Sequence, residues 1–512
     1  MKKLPIGIQT FEELINENYL YIDKTEYLYQ LLLGKYYFFS RPRRFGKSMT
    51  ISTLEQIFLG NQELFKGLWI YDKIIWEKYT IIRLDFSSIY DKDKKLSDSI
   101  VNRLETIANE YGLNLEKDTV KEKFQELILK LSVNKKVVIL IDEYDKPIVD
   151  HIENNENANL NREILQNLYS VIKGNDNNIK FLLLTGVSKF AKVSLFSEFN
   201  NLHDITTTKT FSAMCGITED EMQLYFEPYI DKLKLDYSDT YSDIKKEIKS
   251  WYNGYSWDGV ISVYNPFSIL NLFSNMQFDN YWYYSGTPKF LLSYIKKYQF
   301  TSLDIEKQVI DLSHFNKHEI DNMSLLSLMF QTGYLTIKAY YRHNNTVLLD
   351  YPNKEVENSF TTHLLSEFNN GQTDKTAMLV RDLDNALSNN NLDKFIELLK
   401  VTFKNVTYPN IEDSEKYYHS IFYLVLKLLG FNIESEVMTI DGRIDAVIHT
   451  ETTIYVIEFK IGDAQKALAQ IKEKNYHQKY LHENKSIVML GIGFNLRKKN
   501  IGSVEIEKVK EI

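Results

Sequence analysis

Four short apolar runs constrain this chain more than any other feature. Tyr36–Ser40 (YYFFS), Ile81–Phe86 (IIRLDF), Val137–Ile141 (VVILI) and Phe181–Thr185 (FLLLT) are each five or six residues long and apolar on both alternating faces. A strand with two apolar faces needs cover on both sides, the condition found inside a parallel sheet flanked by helices. The stretches between them supply such helices: Lys47–Phe58, Leu96–Tyr111 and Val120–Leu131 carry apolar residues at helical spacing. The first two hundred residues therefore predict an α/β domain built on a parallel sheet.

The pattern changes twice more along the chain. From about Thr218 to Asn410 it is mostly helical and aromatic, with loop signals at Asn253-Gly254, Asn265-Pro266 and Asn344-Asn345. Trp251, Tyr255, Trp257, Tyr264 and Trp282 read as core rather than as a base-stacking surface. The last hundred residues return to α/β. An amphipathic helix, Ser414–Leu429, stops at Gly430; strands Ile433–Ile440 and Arg443–His449 flank the hairpin turn Asp441-Gly442. Strand Thr453–Ile461, helix Ala464–Tyr480 and strand Ser486–Leu490 complete the order. At about 150 residues per domain, 512 residues suggest three domains. The expected boundaries are 1–215 for the parallel-sheet domain, 216–410 for a helical lid and connector, and 411–512 for the small α/β domain. Gln331–Leu335 opens a winged-helix-like element within the connector.

Charge and cysteine usage narrow the setting. There are 61 basic against 69 acidic side chains, a formal net charge of -8, so no general basic coat is available to nucleic acid. Contact with a polyanion must then be local or metal-mediated. One cysteine forms no intramolecular disulfide, and Pro5, Gln9 and Glu12 interrupt the apolar stretch a signal peptide needs. The longest apolar runs are too short to span a bilayer, so the expectation is a cytoplasmic protein without membrane contact.

Between the first strand and its helix lies Arg41-Pro-Arg-Arg-Phe-Gly-Lys-Ser48. Backbone N–H groups at a helix N-terminus cradle phosphates, a lysine reaches their oxygens, and a Ser/Thr hydroxyl binds Mg²⁺. Gly46, Lys47 and Ser48 meet this pattern, and Arg43, Arg44 and Phe45 complete the loop. Arg41 stands where the pattern has a leading glycine, at a cost if its φ is positive. Val137–Ile141 ends in Asp142-Glu143, a strand-end carboxylate for Mg²⁺ followed by one that can orient or deprotonate water. Open parallel sheets bind ligands at that edge, so the two elements together predict ATP binding with Mg²⁺. Thr185, Ser188 and Lys189 end another strand, where they sense a γ-phosphate or simply terminate it; Asp85 and Asp145 read as ordinary strand-edge residues.

The C-terminal segment carries a second constellation. Glu458 and Lys460, two apart on one strand, share a face, and a short hairpin brings Asp445 beside Glu458. Close carboxylates repel unless a cation lies between them, and Mg²⁺ is the hard oxygen-seeking choice. Lys460 can then orient a metal-bound water, as phosphodiester cleavage requires. Glu415 on the preceding helix and Gln470 on the following one complete the candidate set.

Taken together, the strings Gly7–Phe11, Tyr21–Thr25, Phe39–Ser48, Leu140–Pro147, Leu184–Phe190, Trp251–Tyr255, Tyr264–Pro266, Tyr417–His419, Asp441–Asp445 and Ile457–Lys460 give the chain a full-length resemblance. It resembles the AAA-ATPase-like family whose members end in a PD-(D/E)XK nuclease-superfamily domain. The resemblance implies a P-loop NTPase domain and a restriction-endonuclease-like domain, and it makes an arginine in the leading P-loop position usual. It implies Lys47 on the phosphates, Ser48 and Asp142 on Mg²⁺, and Glu143 as the hydrolytic carboxylate. It further implies Glu415, Asp445, Glu458, Lys460 and Gln470 as the nuclease constellation. Nucleic acid is the implied partner, and a homo-oligomer fits because many related ATPases place a site at a subunit interface. The function expected is an ATPase coupled to an Mg²⁺-dependent nuclease; the alternative is a nucleotide-switched scaffold that binds without cutting.

Overall fold

The structure, a computed structural model, describes all residues except 152–154, 190–200, 283–290, 292–304, 306, 313–323, 369–372, 406–421, 423–424, 426–431, 440–441, 499 and 511–512. Five strands form the first sheet: β1 (Tyr36–Ser40), β2 (Ile81–Asp85), β3 (Val137–Asp142), β4 (Ile179–Gly186) and β5 (His203–Asp204). Their order is β2-β3-β4-β1-β5, and every pairing is parallel. β1 and β3 are buried at every position, as two-faced apolar strands must be. The helix Lys47–Phe58 packs on β3 and β4, and helices Leu96–Glu110, Val120–Leu131 and Asn155–Gly174 pack on one another. The two-residue β5 has no apolar run to announce it in the sequence.

Residue contacts group the chain into two units: Met1–Leu291 with Lys307–Val356, and Leu292–Glu306 with Glu357–Ile512. Within the first unit, helices Glu219–Asp236, Ile244–Tyr252 and Pro266–Asn275 share a core that includes Phe226, Ile248, Tyr252 and Phe273. Thr218 and Glu221 form a reciprocal capping box at the start of the first of these helices. Asn265-Pro266 does not mark a loop alone; Asn265 caps the third helix, accepting from the Ser268 N–H at 3.1 Å, with Pro266 in its first turn. Tyr255, Trp257, Tyr264 and Trp282 are buried. A helix, Leu325–Thr332, and an antiparallel sheet of β6 (Gln308–Asp311), β7 (Thr336–Tyr341) and β8 (Thr346–Asp350), ordered β6-β8-β7, occupy the place of the expected winged-helix-like element.

One buried acid ties this region together. The Glu355 carboxylate accepts from Ser268 Oγ at 2.8 Å and from the Trp282 backbone N–H at 2.7 Å. Burial pushes its carboxyl up to about 8; those two hydrogen bonds resist the shift and Asp279 adds to it.

The second unit holds a mixed sheet of β9 (Asn432–Thr439), β10 (Gly442–His449), β11 (Thr453–Ile461), β12 (Ser486–Asn495) and β13 (Asn500–Lys510), ordered β13-β12-β11-β10-β9. Only β11 and β12 run parallel; the helix Ala464–Glu473 makes their crossover and packs on both. β9 and β10 pair antiparallel as the expected hairpin strands, with Thr439 opposite Gly442. The expected helix to Tyr480 ends at Glu473, because Asn475 takes a positive φ of 49° and a short 3₁₀ turn follows. Nothing in the sequence announces β13, in which only Ile501 is buried and no apolar run occurs. The expected helix Ser414–Leu429 lies almost wholly outside the described residues, as does Glu415. Among the described residues no helix is long and apolar enough to cross a membrane.

Two predictions follow from this packing. A Cβ at Gly491 on β12 would stand 2.4 Å from the Ala464 carbonyl oxygen and 2.6 Å from the Leu468 nitrogen. Gly491→Ala is therefore expected to push helix from strand and cost about 1–3 kcal/mol, read as an earlier unfolding transition of the C-terminal unit. For Glu355, the folded carboxyl holds its proton to about 8 while the unfolded one releases it near 4.5. Stability is thus highest below 4.5 on this account and falls as pH rises through that window, by up to about 1.4 kcal/mol per pH unit. Urea unfolding at pH 5 to 8 is expected to show a steeper loss in wild type than in Glu355→Gln; parallel curves would contradict it.

Candidate functional site

The phosphate-loop candidate rises from the C-terminal edge of the sheet, where the Arg41 N–H bonds the Gly186 carbonyl of β4 at 3.1 Å. Positive φ in this loop falls on Arg44 (67°) and Gly46 (93°), not on Arg41. The backbone cost expected at Arg41 therefore moves to Arg44, whose guanidinium lies 3.9 Å from the centre of the Phe267 ring. Arg41 itself is buried, and its guanidinium donates to the carbonyls of Ser40, Thr206 and Phe211 at 2.9, 2.7 and 3.2 Å. Burial pulls its pKa down to about 9. Its side chain is committed to the protein, while its carbonyl, with that of Pro42, accepts from Lys47 Nζ at 2.9 and 3.0 Å. Burial lowers the Lys47 pKa, against the pull of Asp142 and Glu143.

Those two carboxylates come from the end of β3. Asp142 is buried and accepts from Thr185 Oγ1 on β4 and from the Glu143 N–H at 3.0 Å. Glu143 takes a left-handed φ of 50°, a conformation that costs a non-glycine residue about 1–3 kcal/mol and persists where neighbours fix it. The Tyr144 N–H, bonded to the Thr185 carbonyl at 3.0 Å, supplies such a tether. The sharp turn separates the carboxylates: Asp142 faces β4, and Glu143 lines the cleft beside the loop. Burial raises the Glu143 carboxyl above its usual range, opposed chiefly by Lys47.

Ser188 is placed differently from the other loop candidates. Its N–H and Oγ donate to Asp145 at 2.7 and 2.6 Å, and its carbonyl accepts from the Tyr144 hydroxyl at 2.8 Å. Asp145 also takes the Val187 N–H at 3.2 Å and is buried. Asp145, by sequence an ordinary strand-edge residue, ties the end of β3 to the end of β4. Its partners lie more than forty residues downstream, so no local pattern announced it. Lys189 is likewise held, with its N–H on Gln331 Oε1 at 2.6 Å and its ammonium 3.2 Å from Asp204.

Arg43, Arg44, Phe45, Gly46, Lys47, Ser48 and Glu143 line a cleft of about 620 Å³. Its remaining walls are largely apolar, including Ile6, Ile8, Leu20, Ile22, Phe267 and Leu270. A polar cationic loop with a carboxylate beside apolar walls suits a ligand that has both a polyanionic and a flat apolar part. The donor set and the cleft therefore fit a nucleoside triphosphate with Mg²⁺.

In the second unit the register brings the predicted strand residues together. Ala446 on β10 opposes Ile457 on β11, so the next opposed pair is Asp445 and Glu458, on one face. Asp445 Oδ2 accepts from the Phe459 N–H at 2.9 Å. Glu458 is buried; its Oε1 accepts from Gln470 Nε2 and lies 3.7 Å from Lys460 Nζ. Gln470 reaches it because Gly491 lets the helix Ala464–Glu473 lie close on the sheet. Glu458 thus meets an ammonium and an amide, with Asp445 at the facing position of the register, and two carboxylates so placed fit a hard divalent cation. Among the described residues no group of three acidic, His or Cys side chains forms a fuller cage.

Comparisons with known proteins agree with both halves. Residues 5–196 match the family described as Predicted AAA-ATPase, and residues 413–504 match the PD-(D/E)XK nuclease superfamily. The chain is also 36% identical over 527 residues to a protein of Azotobacter chroococcum mcd 1, described as an uncharacterized protein in the vnfD 5' region; the alignment covers 99% of each. The five-stranded parallel sheet is consistent with a P-loop domain, and the mixed sheet with its helix with the PD-(D/E)XK fold. The chain belongs to the AAA-ATPase-like family, with a PD-(D/E)XK nuclease-superfamily domain at its C-terminal end.

Proposed function

We propose that the chain binds and hydrolyses ATP in the cleft of the first unit and cleaves phosphodiester bonds of nucleic acid at the acidic strand pair of the second. The observation that carries the first half is the placement of Lys47, Asp142 and Glu143 at one sheet edge, on the loop after β1 and at the end of β3. Lys47 would leave its two carbonyls for phosphate oxygens, and Ser48 and Asp142 would hold Mg²⁺. A bound Mg²⁺ supplies positive charge to the β and γ phosphate oxygens. Glu143, its carboxyl raised by burial, suits the residue that orients a water and takes its proton. Arg43, Arg44, Phe45 and Gly46 shape the loop, and Pro5–Gln9 with Phe267 would enclose the base.

In the second unit Asp445 and Glu458 would hold Mg²⁺, with Gln470 fixing the Glu458 carboxylate and Lys460 orienting the attacking water. Glu415 is proposed for the same set from sequence alone. With a net charge of -8, contact with a polyanion must be local or metal-mediated, and a metal held here would supply the second route.

Two measurements test the reading. Mg²⁺-dependent phosphate release from ATP is expected in wild type and to fall by roughly a hundredfold or more in Lys47→Ala, the scale of losing one charge-stabilising group. Cleavage of single- and double-stranded DNA and RNA is expected to need Mg²⁺ and to vanish in Asp445→Ala. Cleavage that survives in Asp445→Ala overturns the nuclease assignment. ATP turnover without cleavage of any of these substrates points instead to a nucleotide-switched scaffold.

A further inference from the structure

The first half of the phosphate loop lacks the usual leading glycine, yet each residue there meets a partner from the middle of the chain. The Arg41 guanidinium lies between two rings, 4.4 Å from the centre of Phe39 and 3.9 Å from that of Trp257. Pro42 abuts Gly333, where a Cβ would stand 2.8 Å from both Pro42 Cβ and Cγ; Gly333 also holds a φ of +92°. The Arg43 carbonyl accepts from Trp282 Nε1 at 3.2 Å. Phe45 packs edge-on against Tyr255 at 4.7 Å and Trp257 at 5.4 Å between ring centres.

Trp282 is itself held at two points: its backbone N–H bonds Glu355 at 2.7 Å, and its ring meets Tyr334 edge-on at 5.2 Å. Three strings conspicuous in the sequence thereby converge on one loop. Tyr255 belongs to Trp251–Tyr255, Asn265 caps the helix whose Ser268 bonds Glu355, and Gly333 lies in Gln331–Leu335. The carbonyls that anchor Lys47 belong to Arg41 and Pro42, two of the residues so held.

We propose that Trp282 and Gly333 are positioning residues of the nucleotide site, holding residues 41–43 in the shape that presents the phosphate cradle. This rests on the nucleotide-binding reading above. Trp282→Phe keeps an aromatic ring and removes the N–H that bonds Arg43, together with the second ring of a buried indole. ATP affinity of the full-length chain, measured calorimetrically with Mg²⁺, is expected to weaken about three- to tenfold, the span of one net hydrogen bond. The turnover number at saturating ATP should stay at the wild-type value, so that KM moves and kcat does not, and the weaker affinity should persist at temperatures where the variant, its melting point lowered by the smaller ring, is fully folded. Gly333→Ala, which presses on Pro42, is expected to weaken binding in the same way; if strain prevents its folding, Trp282→Phe alone decides. Trp69→Phe, outside the cleft, serves as the unaffected control.

Wild-type ATP binding with Trp282→Phe unchanged overturns the positioning role and leaves the nucleotide reading intact. A fall in kcat without a change in affinity overturns it too, as does weakening that only tracks a lower melting temperature. Wild-type chain that binds no ATP overturns the nucleotide reading, and this proposal with it.

Discussion

The placement of β4 between β1 and β3 is the constraint on which the first site depends. Ser40 at the end of β1 pairs with Gly186, and Ile141 near the end of β3 pairs with Leu184, so the three strands finish at one level. The loop after β1, the two acids after β3 and the hydroxyl of Thr185 therefore share an edge without any further device. Thr185 spans the gap to Asp142, and Asp145 returns the tie to Val187 and Ser188. A slip of one residue between β3 and β4 would turn Thr185 to the other face and leave Asp142 buried without its hydroxyl, at a cost of order 1–3 kcal/mol or more for the unmet charge.

Much of this edge was legible in the sequence because buried parallel strands announce themselves as apolar runs and their ends carry the polar groups. Asp445, Glu458, Lys460 and Gln470 were legible for a related reason: strand periodicity of two and a tight hairpin fix which side chains share a face. What escaped the sequence depends on distance along the chain. Asp145 acts on residues over forty positions away, and Glu355 on Ser268 and Trp282, 87 and 73 positions away. A lone acid at the start of a helix looks like any surface acid. β5 and β13 escaped because one is two residues long and the other has no fully buried face. The backbone strain was anticipated at Arg41 and fell on Arg44, since Arg41 is fixed by carbonyls and rings instead.

The two sites solve the same electrostatic difficulty in different ways. In the first, Asp142 and Glu143 are adjacent in sequence, and the left-handed turn at Glu143 points them into different surroundings, with Lys47 between loop and acids. In the second, Asp445 and Glu458 come from separate strands onto one face, and a backbone N–H, an amide and an ammonium share the load. One arrangement relies on backbone geometry, the other on cross-strand register.

Arg41 sandwiched between Phe39 and Trp257 has a consequence for how such chains diversify. The segment matching the ATPase family ends at residue 196, whereas Trp257, Trp282 and Gly333 lie beyond it. A recombination that exchanged only the motif-bearing sheet would strand a buried guanidinium without its aromatic face and leave the loop without its carbonyl anchor. The sheet and these distant residues, Trp257, Trp282 and Gly333, are therefore one packing unit. Substitutions at positions 41 to 45 are expected to be matched by substitutions at 255, 257, 282 and 333 when homologous chains are compared.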